Sequence, residues 1–215
     1  MNSKAYWDKK HISKLPPKGS GATEFGKLAE TYFVPQGRVL DLGAGAGIDS
    51  IYFASKGHIV EATDLSDTAL NRIREDLPPE LVNVVTIKGL DVSQPFPYPD
   101  GSFDAVYASV SIHYFDDKTT EQIFSEIHRV IKPNGIVALM LNSKRDNEVE
   151  AGEEIEKDYF EIQPEGIHKR YFDVDSTQAR VDRYFETLLL DDKGNRLRST
   201  GGLEGNRIRY IGRKI

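Results

Sequence analysis

At 215 residues, the chain has the size of one ordinary domain with room for a cap or insertion. With 39% hydrophobic and 29% charged residues it can bury a core, which excludes wholesale disorder. No cysteine is present, so disulfides, thiolate metal sites and cysteine nucleophiles are excluded. The net charge of −6 is unevenly spread, with +4 over residues 1–38, −16 over 39–192 and +6 over 193–215. Basic ends on an acidic body fit solvated termini better than a nucleic-acid surface, which comes as a basic domain or a recognisable module. The longest apolar run, Ile136–Leu141, falls far short of the roughly 20 residues of a membrane span. Met1–Lys14 is positively charged but lacks an apolar stretch and a cleavage site, so no secretory signal is expected and a cytoplasmic setting fits.

In chain order, short apolar runs alternate with segments of helical period, a pattern that argues for an α/β sheet. The first 35 residues read as a helical N-terminal segment. Within it Phe25, Leu28, Ala29 and Tyr32 share one helix face, with Thr23 as N-cap. Val39–Leu42 reads as a buried strand ending at Gly43, followed by a helix from about Gly47 to Ser55 that Gly57 stops. Ile59–Asp64 is the second strand. Ser66 then caps a helix with Ala69, Leu70, Ile73 and Leu77 on one face, ended by Pro78 and Pro79. Val82–Leu90 reads as the third strand. Prolines at 95, 97 and 99 keep the next connection non-helical, and Phe103–Ala108 is the fourth strand. Ile123, Phe124, Ile127, Val130 and Ile131 mark a helix ended by Pro133, and Asn134-Gly135 turns into a fifth strand, Ile136–Leu141. Residues 143–172 break the alternation with a polar, Glu-rich stretch that reads as an insertion or lid, its carboxylates on a solvated helix or facing a cationic ligand. Ser176 can cap a short helix carrying Val181, Tyr184 and Phe185. Thr187–Leu190 and Arg207–Ile211 are two last strands that, with no helix between them, should pair antiparallel.

The run Val39-Leu40-Asp41-Leu42-Gly43-Ala44-Gly45-Ala46-Gly47 sets glycines at alternate positions between a strand and a helix, where a backbone without Cβ atoms can turn sharply and approach a ligand. A dinucleotide fingerprint would want glycine at 43, 45 and 48, but position 48 is Ile, which weakens a nicotinamide reading. Asp64 stands 21 residues after Gly43 at the end of the second strand, where a carboxylate can accept from both hydroxyls of a ribose. The alternative, a helix-capping Asp, is less needed because Ser66 is available. Asp91 ends the third strand in the same way and could accept from an adenine amino group.

Taken together, VLDLGAGAG, Asp64, Asp91, PFPYPDGSFDAVYAS and EIHRVIKPNG resemble a class I S-adenosylmethionine-dependent methyltransferase of the small-molecule type, over roughly residues 36–142. Tyr6-Trp7-Asp8 and His168–Phe172 are also similar to segments of the tellurite-resistance-like and thiopurine-like branches. The resemblance implies a Rossmann-like three-layer sandwich. Its seven-stranded, mostly parallel sheet would have the order 3-2-1-4-5-7-6, with strand 7 antiparallel. It further implies S-adenosylmethionine as cofactor and no metal. Asp41, Gly43, Ala44 and Gly45 would hold the methionine end, Asp64 and Leu65 the ribose, Asp91 and Val92 the adenine, and Ser109 would supply the edge after the fourth strand. Asn134 stands where the family often has glycine, a harmless departure because Asn tolerates a left-handed turn.

Methyl transfer from a sulfonium is a direct displacement, so alignment can supply most of the catalysis and a dedicated catalytic residue need not exist. If the acceptor must lose a proton, His113 is the best-placed base; the alternative is a histidine that packs. Tyr6, Trp7, Tyr114 and Arg170 are further pocket candidates. Base-flipping amino-methyltransferases place an (Asn/Asp/Ser)-Pro-Pro-aromatic tetrapeptide after the fourth strand, whereas this chain has Ser109-Val110-Ser111-Ile112. A small-molecule acceptor is therefore expected, and no specific nucleic acid or membrane partner. Two alternatives stay open: an oxidoreductase on a related sheet, and a protein that binds S-adenosylmethionine without transferring the methyl group.

Overall fold

Parallel strands covered on both faces are buried along most of their length, and four strands of this chain are, even where polar residues such as Asp41, Glu61 and Thr63 stand in them. They are β1 (Arg38–Leu42), β2 (Ile59–Asp64), β4 (Phe103–Ser109) and β5 (Ile131–Asn142), which with β3 (Val85–Gly89) run parallel. β9 (Phe185–Leu197) and β10 (Leu203–Lys214) close the sheet, and β10 is antiparallel to both β5 and β9. The computed structural model describes residues 4–197 and 203–215. Its large sheet has the order β3-β2-β1-β4-β5-β10-β9. This is the expected 3-2-1-4-5-7-6 once the three strands of a separate small sheet are set aside.

Side-chain alternation along the strands divides the core in two. Val39, Ala105 and Tyr107 meet helices α2 (Glu24–Glu30), α3 (Ile48–Ser55) and α4 (Asp67–Asp76) through Phe25, Phe53 and Ile73. Leu40, Leu42 and Val106 meet α5 (Asp117–Val130) and α6 (Val174–Val181) on the other face through Phe124, Ile127 and Val181. Fully burying a ring such as Phe53 contributes about 2–3 kcal/mol. The strands therefore end together at one carboxyl edge, where α/β sheets bind ligands beside the switch in strand order. Here that switch lies between β1 and β4.

Several element boundaries differ from expectation. The third strand begins at Val85 rather than Val82, because Pro79–Leu81 form a 3-10 turn in which Leu81 N–H donates to Pro78 O. α5 stops at Val130, and Ile131 is already extended and paired with Phe103. Ser176 is not the cap of α6. Asp173 is, and Ser176 is its reciprocal partner in a capping box. Tyr184 and Phe185 lie beyond that helix.

The polar stretch after β5 does not form a solvated helix. A 3-10 turn over Asn147–Ala151 leads into an antiparallel meander of β6 (Gly152–Glu156), β7 (Tyr159–Ile162) and β8 (Ile167–Arg170). Its buried side, Ile162, Ile167 and Tyr171, packs with Tyr114 and against Tyr6 and Trp7 of α1 (Lys4–Lys14). Residues 1–3 of the N-terminal segment and 198–202 of the basic C-terminal stretch lie outside the described residues. Among the described residues no helix is long and apolar enough to cross a membrane.

Candidate active site

The loop after β1 needs its glycines for different reasons. Gly43, Gly45 and Gly47 all have φ between +56° and +73°, a region that strains any residue with a side chain. A Cβ at Gly43 would lie 2.4 Å from Ser111 Cβ, and one at Gly47 2.8 Å from Ile73 Cγ1, so these two serve close packing. A Cβ at Gly45 would meet nothing within 4 Å. Gly45 thus keeps open a space that a side chain would partly fill.

Three carboxylates ring this loop. Asp64, at the end of β2, accepts from Gly45 N–H through Oδ2 and from Ser66 N–H through Oδ1, each at 2.9 Å. Each oxygen keeps a further lone pair for a ligand hydroxyl. The cap of α4 is Ser66, whose Oγ accepts from Ala69 N–H, which leaves Asp64 to the loop. Asp91, just past β3, accepts from Ser93 N–H and Oγ–H through Oδ1. Asp41, within β1, is almost fully buried and accepts from Ser50 Oγ at 2.5 Å. Burial pushes its carboxyl up to about 8, against the lowering effect of Ser50 and with help from nearby Asp49 and Asp64.

Beyond β4, Val110 has φ 57°, a left-handed conformation that costs a β-branched residue about 1–3 kcal/mol. Bonds on both sides hold the strain in place: Val110 N–H donates to Met140 O, and Ser111 Oγ–H to Leu42 O.

A cavity of about 1010 Å³ lies against these groups, and all nine expected cofactor residues line it: Asp41, Gly43, Ala44, Gly45, Asp64, Leu65, Asp91, Val92 and Ser109. Tyr6, Trp7 and Tyr114 line it as well, with the Trp7 and Tyr114 rings edge to face at 4.7 Å. His113 does not. It is fully buried, its ring 4.4 Å from that of Tyr114 and its carbonyl accepting from Arg170 N–H. Arg170 is also off the cavity wall. Its guanidinium donates to Phe115 O, Lys157 O and Glu156, and so ties the meander to the segment before α5.

Sequence reasoning missed a buried cluster on the cavity wall made of Thr23, Asp49 and Tyr107. Asp49 accepts from Thr23 N–H and Oγ–H at 2.8 Å each and from Tyr107 O–H at 2.6 Å. Burial raises its carboxyl above the ordinary range, against those three donors. The signal for it lay in Gly26, in the middle of α2, where a Cβ would sit 2.5 Å from Asp49 Oδ1. Asn142 and Arg207, also on the wall, were missed as well.

Comparison with known proteins agrees with this geometry. Residues 40–139 match the methyltransferase domain family. An uncharacterised methyltransferase of Synechocystis is 36% identical over 106 residues, covering 49% of this chain and 47% of the relative. Methyltransferase GfsG of Streptomyces halstedii is 31% identical over 137 residues, covering 62% and 48%. The chain thus spans about half the length of the curated relatives it matches. Among solved structures, an S-adenosylmethionine-dependent methyltransferase of Methanosarcina mazei aligns with TM-score 0.72 at 21% identity, covering 91% of this chain and 99% of the other. The Burkholderia thailandensis 1,6-didemethyltoxoflavin-N1-methyltransferase, with 1,6-didemethyltoxoflavin and S-adenosylhomocysteine bound, aligns with TM-score 0.67 at 19% identity, covering 88% and 76%. Residues 40–139 thus match the methyltransferase domain family, and in strand order the whole sheet is similar to that of S-adenosylmethionine-dependent methyltransferases.

Proposed function

We propose that the protein binds S-adenosylmethionine in the 1010 Å³ cavity and transfers its methyl group to a small-molecule acceptor. The observation that carries this reading is the convergence of Asp41, Asp64 and Asp91, from three successive parallel strands, on one cavity whose glycine loop leaves space at Gly45. S-adenosylmethionine, when bound, supplies an activated methyl group on a sulfonium, which needs an aligned nucleophile more than an acid or a base.

The residues present fit such a ligand. Asp64 is braced by two backbone donors, so its oxygens are preset for a ribose diol. Asp91, fixed by Ser93, stands one strand further out, toward an adenine. Asp41, buried beside the loop, is a partner for an ammonium group, which would ionise a carboxyl that burial otherwise keeps protonated. Tyr6, Trp7 and Tyr114 form an aromatic wall that excludes water and seats an apolar acceptor. Holding both partners in register is worth up to roughly 7–11 kcal/mol of the barrier. No side chain of this wall needs to move a proton.

Ile48, where a dinucleotide loop needs glycine, counts against the oxidoreductase alternative. The non-catalytic alternative is separated by experiment: incubation with methyl-labelled S-adenosylmethionine and a panel of small phenols, amines and thiols. Label transferred to any acceptor supports the enzyme reading, and tight cofactor binding with no transfer across the panel favours the binding protein.

A further inference from the structure

Two buried donors stand at the far end of the cavity from Asp64 and Asp91. Asn142, the last residue of β5, and Arg207, on β10, are directly opposed across the antiparallel pair, so their side chains leave the same face of the sheet. Both line the cavity, at 2% and 5% exposure. Asn142 Nδ2 and Arg207 Nε have no hydrogen-bond partner among the described residues. Buried polar groups are nearly always paired, so two such donors side by side on a cavity wall call for a ligand. Arg207 Nη1 is engaged: it donates to Asp146 and to Asn206 O, which anchors the group and balances its charge.

The sheet order says which ligand this corner meets. The proposed cofactor residues come from β1, β2, β3 and the end of β4, whereas β5 and β10 lie on the other side of β4 and line the same cavity, so a ligand atom that meets Asn142 and Arg207 belongs to the acceptor rather than to the cofactor. Arg207 can only donate, so the ligand atom must be a hydrogen-bond acceptor. The same cavity has an aromatic wall, in which Trp7 contacts both Tyr6 and Tyr114. We infer that Asn142 and Arg207 are specificity-determining residues that read a carbonyl or carboxylate oxygen on an aromatic methyl acceptor. This inference rests on the methyltransferase reading above, and it names the acceptor's chemical class.

The test is calorimetry on the whole chain saturated with S-adenosylhomocysteine, titrated with 4-hydroxybenzoate, 4-hydroxybenzaldehyde and 4-methylphenol. The first two should bind at least tenfold tighter than the third, and their order tells a carboxylate from a neutral carbonyl. Asn142→Asp, which replaces the N–H donor by an oxygen at constant volume, should lose that tenfold preference with 4-methylphenol and S-adenosylhomocysteine binding unchanged. Arg207→Lys, which keeps a charge beside Asp146 but removes the Nε–H, should lose it as well. Equal binding of the three probes, binding of none of them, or an unchanged ranking in both variants would overturn the inference. Failure of S-adenosylhomocysteine itself to bind would instead remove the methyltransferase reading, and this one with it.

Discussion

Asp8 and Ser66 are joined by a hydrogen bond of 2.6 Å from the serine hydroxyl to the carboxylate, and the same Ser66 oxygen accepts from Ala69 N–H to cap α4. One serine therefore both starts α4 and fastens α1, whose Tyr6 and Trp7 line the cavity. Asp8 also accepts from Thr68 N–H and from Lys4. The bond from Ser66 is the largest cause that holds its carboxyl down at about 2. A depressed carboxylate stabilises the fold above its unfolded value near 4 and loses that contribution as pH falls toward 2. The clamp is thus intact at neutral pH. Asp8→Ala should raise amide exchange across residues 4–14 and weaken S-adenosylhomocysteine binding severalfold, with α5 unaffected. Unchanged exchange in that helix would show that Asp8 does not hold it.

Asp64 is expected to carry the ribose contact. Asp64→Ala should weaken S-adenosylhomocysteine binding by about 1.5–3 kcal/mol, the range for hydrogen bonds to a charged group, or roughly 10- to 150-fold. Because the carboxylate also braces Gly45 and Ser66, the variant should melt a few degrees lower as well. A Kd unchanged in calorimetry would remove Asp64 from the site.

What the sequence made legible follows from local physics. β2 and the cap of α4 stand where apolar run and Ser66 put them, and Gly47 opens α3 as the glycine pattern required. The meander was hidden because β6 reads Gly-Glu-Glu-Ile-Glu, an edge strand whose exposed carboxylates show no alternation. Its apolar anchors, Ile162 and Ile167, face inward from either side of a turn. Asn142 and Arg207 were illegible for another reason: they come together only through a pairing of β5 with β10 that sequence distance conceals. His113 sits close to the site in sequence but off the cavity wall in space, because Val110 turns left-handed and redirects the chain after β4.

Asp41 predicts a proton signature. Its carboxyl is raised to about 8 by burial, so the folded apo protein binds a proton there that the unfolded chain releases near 4. Stability from this group is greatest below pH 4 and declines as pH rises toward 8. Ammonium binding beside Asp41 would drive that proton off. Calorimetry at pH 7 in buffers of different ionisation enthalpy should show about one proton released per S-adenosylhomocysteine bound. Asp41→Asn should abolish the release, while Asp49→Asn should preserve it. Buffer-independent heats would contradict the assignment.

The meander is expected to act as a lid over the bound ligands. Lys144 joins it to the body at its base, with Asp158 and Asp173 both at 2.9 Å. Its inner face rests on Tyr114 and α1 rather than on the sheet. Hydrogen exchange over residues 143–172 should slow when S-adenosylhomocysteine is added, with 152–170 responding as one unit. Equal protection in both states would mean that the segment is fixed structure and not a ligand-coupled lid.

A cavity built for one nucleoside with an amino-acid tail should discriminate among three ligands in calorimetric titration of the unmodified protein: S-adenosylmethionine, S-adenosylhomocysteine and NAD. One site is expected for each of the first two, with Kd in the micromolar range or tighter, and no saturable heat with NAD. Tight NAD binding, or no binding of S-adenosylhomocysteine, would contradict it.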